Sequence, residues 1–331
     1  MKKLINDPNQ VVKEMIEGMI LAHPEKLRNI EGTSVIVRKD APVNGKVGIV
    51  SGGGSGHEPS HAGYVGKGML DAAVCGEVFT SPTPDQVYEA IKAVDSGKGV
   101  LLVIKNYTGD VMNFEMAAEM AEAEGIKVAK VVVNDDVAVE NSTYTTGRRG
   151  IAGTVFVHKI AGAKAAQGAS LEEVEAVANK TIQNVRSMGM ALTPCTVPAA
   201  GKPGFELGEN EMEIGMGIHG EPGIEKTELK PADEVAEILT TKILEDLQLQ
   251  KGDKVAVMVN GLGATPVMEL YIINRKVSQM LSERGIQVHE TFVENYMTSL
   301  EMAGCSVTLL KLDDELTELL DSESDTLAFK K

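Results

Sequence analysis

Residues 100–105 read VLLVIK, an apolar run broken only by its terminal lysine. A run of this length, closed by NYTGD, suits a strand buried on both faces. Such strands belong to parallel sheets covered by helices. The neighbouring segments keep the same rhythm. KVGIV (46–50) is a short apolar strand that ends in the glycine-rich SGGGSG. SPTPDQVYEAIKAVDSGKG (81–99) opens with cap and proline signals, carries a helical period and ends in glycine. DVMNFEMAAEMAEAEG (110–125) predicts a helix that stops at Gly125, and IKVAKVVVND (126–135) a further strand. Two more helices are expected over 150–167 and 170–189. Strand, loop and helix in series predict an α/β fold whose first sheet is mainly parallel with helices packed on it.

After Gly189 the texture changes. Residues 193–223 are rich in Gly and Pro, with extended stretches expected over 204–207 and 211–218. A helix over 234–247, a strand over 253–261, a helix over 265–285 with Pro266 near its start, and strands over 286–293 and 306–312 complete a second, smaller α/β domain with a mixed sheet. The boundary is expected near residue 187, giving domains 1–187 and 188–331.

A chain of 331 residues is long enough for two such domains. Asp plus Glu number 48 against 32 Lys plus Arg, a net charge of -16, which argues against non-specific binding to nucleic acid or anionic membrane. No apolar window of ~18 residues occurs, and MKKLINDPNQ lacks the apolar core of a signal peptide, so a cytoplasmic protein is expected. The three cysteines are odd in number and widely separated, which implies neither a disulfide framework nor a cysteine zinc site.

Residues 57–61 read HEPSH and match the H-E-x-x-H pattern of zinc proteases. That mechanism needs both histidines on one face of one helix. Pro59 biases Glu58 away from the helical region and fits the first position of a helix, so a helix starting at Pro59 would leave His57 outside it. No metal is therefore expected here. A phosphate loop is also disfavoured, because no lysine follows the glycines. The glycines can still bring backbone N–H groups close to a small polar ligand at the carboxyl end of a parallel sheet, with His57 beside it.

Two further constellations stand out. Lys105, Asn106, Thr108 and Asp110 follow the buried strand where ligands sit in such sheets, although Asp110 is also expected to cap the following helix. In GMGIHGEPG (215–223), His219 has glycines on both sides, so a ligand could reach its imidazole closely. The remaining histidines His23, His158 and His289 are read as structural or surface residues.

The segments GKVGIVSGGGSGHEPSHAGYVGKGML, GEVFTSPTPDQV, IKNYTGDVMNFEMA, TYTTGRRGIAGT, CTVPAAGKPGFEL, EMEIGMGIHGEPGIEK, NGLGATPVMELY and YMTSLEMAGCSVTLLKLDDE occur in this order over nearly the whole chain. Together they resemble the K subunits of dihydroxyacetone kinase. The resemblance implies two α/β domains and a homodimer. It implies that dihydroxyacetone attaches through its carbonyl carbon to His219 as a hemiaminal. His57 and Asp110 then match the acid/base residues, while Gly54, Ser55, Gly56 and Lys105 match substrate contacts, with Ser81 as a further contact. No cofactor is implied on this chain. The implied phosphoryl donor is an L subunit carrying ADP/ATP and Mg²⁺, recharged by an M component of the phosphotransferase system. Some K-like paralogues instead serve as dihydroxyacetone-sensing coactivators of a transcriptional regulator. A sensor needs no base, so His57 together with Asp110 favours catalysis.

Overall fold

A computed structural model describes residues 2–142 and 145–331. The first half runs α1 (Val11–Ala22), β1 (Leu27–Asn29), β2 (Val35–Arg38), β3 (Gly48–Ser55), β4 (Ala72–Val78), α2 (Pro84–Val94), β5 (Val100–Lys105), α3 (Thr108–Ala123), β6 (Val128–Val133), α4 (Thr154–Ala166) and α5 (Leu171–Asn184). The second half runs β7 (Val185–Ala191), β8 (Glu211–Ile214), β9 (Glu225–Glu228), α6 (Ala232–Leu247), β10 (Lys254–Gly261), α7 (Val267–Glu283), β11 (Gln287–Glu294), β12 (Gly304–Leu312) and α8 (Asp314–Asp321).

Two six-stranded sheets result, ordered β1-β2-β4-β3-β5-β6 and β11-β10-β12-β7-β8-β9. In the first, β4, β3, β5 and β6 pair in parallel, and β1 and β2 add an antiparallel edge. The second is mixed, with only β10 and β11 parallel. Every residue of VLLVIK is buried, the five apolar ones as their pattern requires and Lys105 along with them. Helix α4 is buried along nearly its whole length, and it belongs to one apolar cluster with Met258 and Leu310 of the second sheet. Lys159 on that helix donates to the carbonyls of Leu319 and Ser322 at 2.8 Å each, tying the end of the chain to α4. Among the described residues no helix is long and apolar enough to cross a membrane.

Several expected elements shift. The glycine run is not a loop: β3 continues through Gly52, Gly53 and Gly54 to Ser55, because these residues pair with β4. The expected helix over 170–189 ends at Asn184, and β7 replaces its tail, since RSMGMA gains a full ladder with β12. No strand forms over 204–207, and the extended stretch over 211–218 shortens to β8. No α-helix starts at Pro59; a single 3₁₀ turn over Ala62–Tyr64 follows instead. The boundary expected near residue 187 falls inside β7.

The fold also buries three histidines, His57, His61 and His158. His61 Nδ1 lies 2.9 Å from His158 Nε2. Burial drives the His158 pKa down to about 3. Its unfolded counterpart titrates near ~6.5, so below that pH only the unfolded chain takes up the proton and stability falls with pH. Relative to wild type, H158Q should gain about 2 kcal/mol between pH 7 and pH 5, at about 1.4 kcal/mol per pH unit below ~6.5. Urea unfolding of both proteins at the two pH values measures this. An unchanged gap would show that His158 protonates inside the folded protein.

Candidate active site

The carboxyl ends of β3, β4 and β5 converge beneath the start of α3, the usual ligand position of a parallel sheet. Gly53 has φ +149, and a side chain there would collide with Lys105 Nζ and come within 3.3 Å of Asp110 Oδ2. This close approach lets buried Lys105 donate to the Gly52 carbonyl at 3.2 Å and pair with Asp110 at 3.3 Å. Asp110 does not cap α3. The N-cap is Tyr107, which makes no side-chain cap bond, and Asp110 lies inside the first turn, where the helix dipole favours its charge. Its carboxylate is turned to Lys105 because the buried ammonium needs a counter-charge.

The opposite wall comes from the second half. After β8, Gly215 and Gly220 take positive φ (78 each) and fold the segment back so that His219 faces the first sheet. His219 Nδ1 lies 2.9 Å from Glu221 Oε1, and its backbone N–H donates to Glu221 Oε2 at 2.9 Å. His219 Nε2 lies 3.1 Å from Nε2 of His57, whose Nδ1 is 2.8 Å from the Thr298 carbonyl. Burial outweighs the other influences on Glu221 singly. Together, the charges of His219 and Arg149 and the hydrogen bonds overcome it and hold the carboxyl at about 2. His57 is driven well below its ordinary value, first by burial and then by the charges of His219 and Lys105.

These partners fix the protons. A carbonyl and a carboxylate only accept, so both Nδ1 atoms carry hydrogen. The facing Nε2 atoms can bond only if one of them also carries a proton. The two rings therefore share three protons and one net positive charge, balanced by Glu221. A carboxylate stands against His219 and only a neutral carbonyl against His57, so the positive charge is best placed on the His219 ring. Three rings hold His219 edge-on: Tyr107 at 4.6 Å, His57 at 4.7 Å and Phe79 at 5.2 Å between centroids. Phe79 also stacks on His57 at 5.2 Å and has φ 57, an unusual conformation for an aromatic residue.

A cavity of about 890 Å³ opens between these walls, lined by His219, Asp110, Gly54 and Ser81 among others. The structure thus brings these four expected site residues, and Thr108 with them, to one cavity. His57 stands directly behind His219, and Lys105 supports Asp110 from below. Ser55 and Gly56 do not line the cavity: the Ser55 hydroxyl is spent on the Gly76 carbonyl at 2.7 Å, and Gly56 packs against Phe79 and Leu300. His57 and His61 diverge to different partners and form no joint ligand set. Among the described residues, the one grouping with metal-ligand spacing is His289, Glu290 and Asp321, where the Lys331 ammonium already bonds Asp321 at 2.7 Å and Glu290 at 2.5 Å. His158 and His289, read from the sequence without chemical partners, thus pair with His61 and Asp321.

Glu221, Phe79, Tyr107 and Thr298 escaped sequence reasoning. Glu221 had a signal, a carboxylate two residues beyond His219 across a glycine. Phe79 and Thr298 reach the site only through tertiary folding.

The arrangement defines a class: an α/β protein that offers an imidazole, backed by a second imidazole and a carboxylate, to a small ligand in a polar cavity. The Dak1 domain model matches residues 17–328. The chain is 58% identical over 330 residues to the PTS-dependent dihydroxyacetone kinase 1, dihydroxyacetone-binding subunit DhaK, of Listeria innocua serovar 6a, covering 99% of this chain and 100% of that one. Among solved structures it resembles the dihydroxyacetone kinase of C. freundii, with a TM-score of 0.91 and 37% identity over 99% of this chain and 60% of that one. It equally resembles the dihydroxyacetone kinase operon co-activator Dha-DhaQ, with a TM-score of 0.91 and 37% identity over 98% and 99%. The chain belongs to the Dak1 family, whose dihydroxyacetone kinase K subunits its motifs resemble.

Gly53→Ala tests the cavity floor. The added methyl must displace the Lys105 ammonium, and the backbone conformation is strained for alanine. The variant should lose about 1–3 kcal/mol in urea unfolding and lose ligand binding in the cavity. Unchanged stability and binding would show that the close approach at Gly53 is dispensable.

Proposed function

We propose that this chain is the dihydroxyacetone-binding subunit of a phosphoenolpyruvate-dependent dihydroxyacetone kinase. It holds its substrate as a hemiaminal on His219 while an L subunit delivers a phosphoryl group, giving dihydroxyacetone phosphate. The observation that carries this reading is the imidazole of His219: it lines the cavity, its Nδ1 is engaged by a carboxylate, and its Nε2 is free to exchange a proton with His57.

The chemistry follows from that geometry. His57 accepts the Nε2 proton of His219. The freed lone pair attacks the carbonyl carbon, a C–N bond forms, and the carbonyl π pair moves to oxygen. His57 then returns its proton to that oxygen. A polyol without a carbonyl, such as glycerol, cannot form this bond. The tether orients the terminal hydroxyl, an entropic gain, and Asp110 at the cavity wall takes the proton of that hydroxyl as it attacks phosphorus.

Apart from Asp110 and His219, the described residues lining the cavity are uncharged, which suits a donor that brings its own cation. On this reading ADP/ATP and Mg²⁺ belong to the L subunit and neutralise the phosphoryl charge. The M component recharges that nucleotide, and this chain acts as a homodimer. The likeness to the co-activator keeps a sensor reading open. The buried Lys105–Asp110 pair beside the cavity favours the kinase, because sensing requires no base.

The test is reconstitution with dihydroxyacetone, an ADP-loaded L subunit, the M component, the general phosphotransferase proteins and phosphoenolpyruvate. Dihydroxyacetone phosphate should form only when this chain is present. Adduct without product would support the sensor. H219A should abolish the adduct. D110N should keep the adduct while turnover falls roughly 10²-fold or more, and full activity in D110N would remove Asp110 from the mechanism.

A further inference from the structure

Beneath His219 lies a row of buried charges that the sequence did not announce. Glu221 is almost wholly buried at 1% exposure, and Arg149 and Asp136 are fully buried. Arg149 Nε donates to Asp136 Oδ2 at 2.8 Å, and its Nη2 donates to the Gly215 carbonyl at 2.7 Å. Arg149 thereby grips the turn that carries His219. Glu221 and Arg149 converge on one glycine: a side chain at Gly217 would collide with Glu221 Oε2 and sit 2.7 Å from Arg149 Nη1. Asp136 also accepts from the Ala138 N–H at 2.9 Å, so its position is fixed in turn.

The charges in this row do not cancel by themselves. Asp136 and Arg149 neutralise each other, which leaves Glu221 as a buried carboxylate needing one positive charge. In the empty site the shared proton on His219 supplies it. In the adduct, Nε2 is bonded to carbon and Nδ1 still carries hydrogen, so the ring is again a cation. A neutral adduct would require Glu221 to take the Nδ1 proton, against the environment that keeps this carboxylate ionised.

We propose that Glu221, set in place by the buried Arg149–Asp136 pair, is a positioning residue that acts as the lasting counter-ion of the His219 ring, so that the covalent adduct is an N-substituted imidazolium. This inference rests on the proposed attachment at His219. The step balances: the C–N bond forms, the C=O π bond breaks, and the Nε2 proton reaches the new hydroxyl through His57. The net charge of the two rings is +1 before and after, and Glu221 never changes protonation.

The experiment uses the full chain with dihydroxyacetone labelled with ¹³C at the carbonyl and histidine labelled with ¹⁵N. In wild type the labelled carbon should move to the saturated region of the ¹³C spectrum, and His219 should keep a one-bond N–H coupling at Nδ1 in the adduct. E221Q retains shape and an acceptor for Nδ1–H but removes the charge and the acceptor for the His219 backbone N–H. Its adduct should form roughly 10- to 100-fold more weakly, the scale of a charge-assisted hydrogen bond. E221D should recover part of the loss, which a merely structural defect would not allow. A wild-type adduct whose Nδ1 lacks hydrogen overturns the counter-ion, and so does E221Q forming the adduct as well as wild type. Should E221Q fail to fold, the wild-type Nδ1 coupling still decides. If wild type forms no adduct, the attachment reading itself fails, and this inference with it.

Discussion

The 3.1 Å contact between His57 and His219 is the interaction around which the molecule is arranged. One ring follows β3 of the first sheet and the other follows β8 of the second. Holding them at hydrogen-bond distance requires the two halves to meet with little slack. The segment between β11 and β12 provides the joint. Thr298 donates its N–H to the His57 carbonyl at 3.2 Å, and Leu300 donates to the Gly56 carbonyl at 2.7 Å. Ser299 donates its hydroxyl to the Ile218 carbonyl at 2.6 Å. One short loop therefore grips the backbone beside both histidines. Asn260 anchors that loop by accepting from the N–H groups of Tyr296 and Met297 at 2.8 and 2.9 Å. Such a network is rigid because each buried polar group is satisfied by the others.

Much of this was legible in the sequence, for identifiable reasons. The first sheet announced itself because its central strands are buried on both faces and read as apolar runs. His219 stood out because glycines flank it. Asp110 was found at the right place and given the wrong local role, since the cap rule sees only the chain and not the buried Lys105 that claims the carboxylate. The glycines of β3 read as a loop because their purpose is close approach to β4, β5 and α3, which no local pattern encodes. Strand β7 was hidden in the tail of a helical pattern and is defined by its ladder with β12. Strand β9, EKTE, is a polar edge strand without apolar alternation to betray it. Arg149, in the middle of a Gly- and Thr-rich stretch, gave no sign that it would be fully buried.

The electrostatics of the site explain how an acidic chain can use two histidines as chemistry. His57 resists a proton because it is buried, and it is paired with a ring that has a carboxylate beneath it. The proton therefore has a default home on His219 and an available but unfavourable seat on His57. On the proposed reading that asymmetry suits a proton shuttle: the seat must be reachable for the attack and must give the proton up again to the forming alkoxide. The aromatic rings around His219 hold it edge-on between Tyr107, Phe79 and His57.

The same charge pattern bears on how a phosphorylated product would leave. The described cavity wall carries Asp110 and no lysine or arginine side chain, while Lys105 is buried and spent on Asp110 and the Gly52 carbonyl. On the proposed reading, once the donor and its cation withdraw, a phosphate group finds no lysine or arginine on the described wall and only the His219 ring as a cation. On that reading a covalent bond to His219 would not trap the product, because its formation would be reversed by the same proton path: His57 removes the hydroxyl proton, the C–N bond breaks, and the proton returns to Nε2. On the same reading, covalent capture supplies the grip before transfer, when the ligand is neutral and small. A site built on cationic phosphate recognition would hold the product more tightly than the substrate. A bond to the carbonyl, which substrate and product share, gives the product no such advantage.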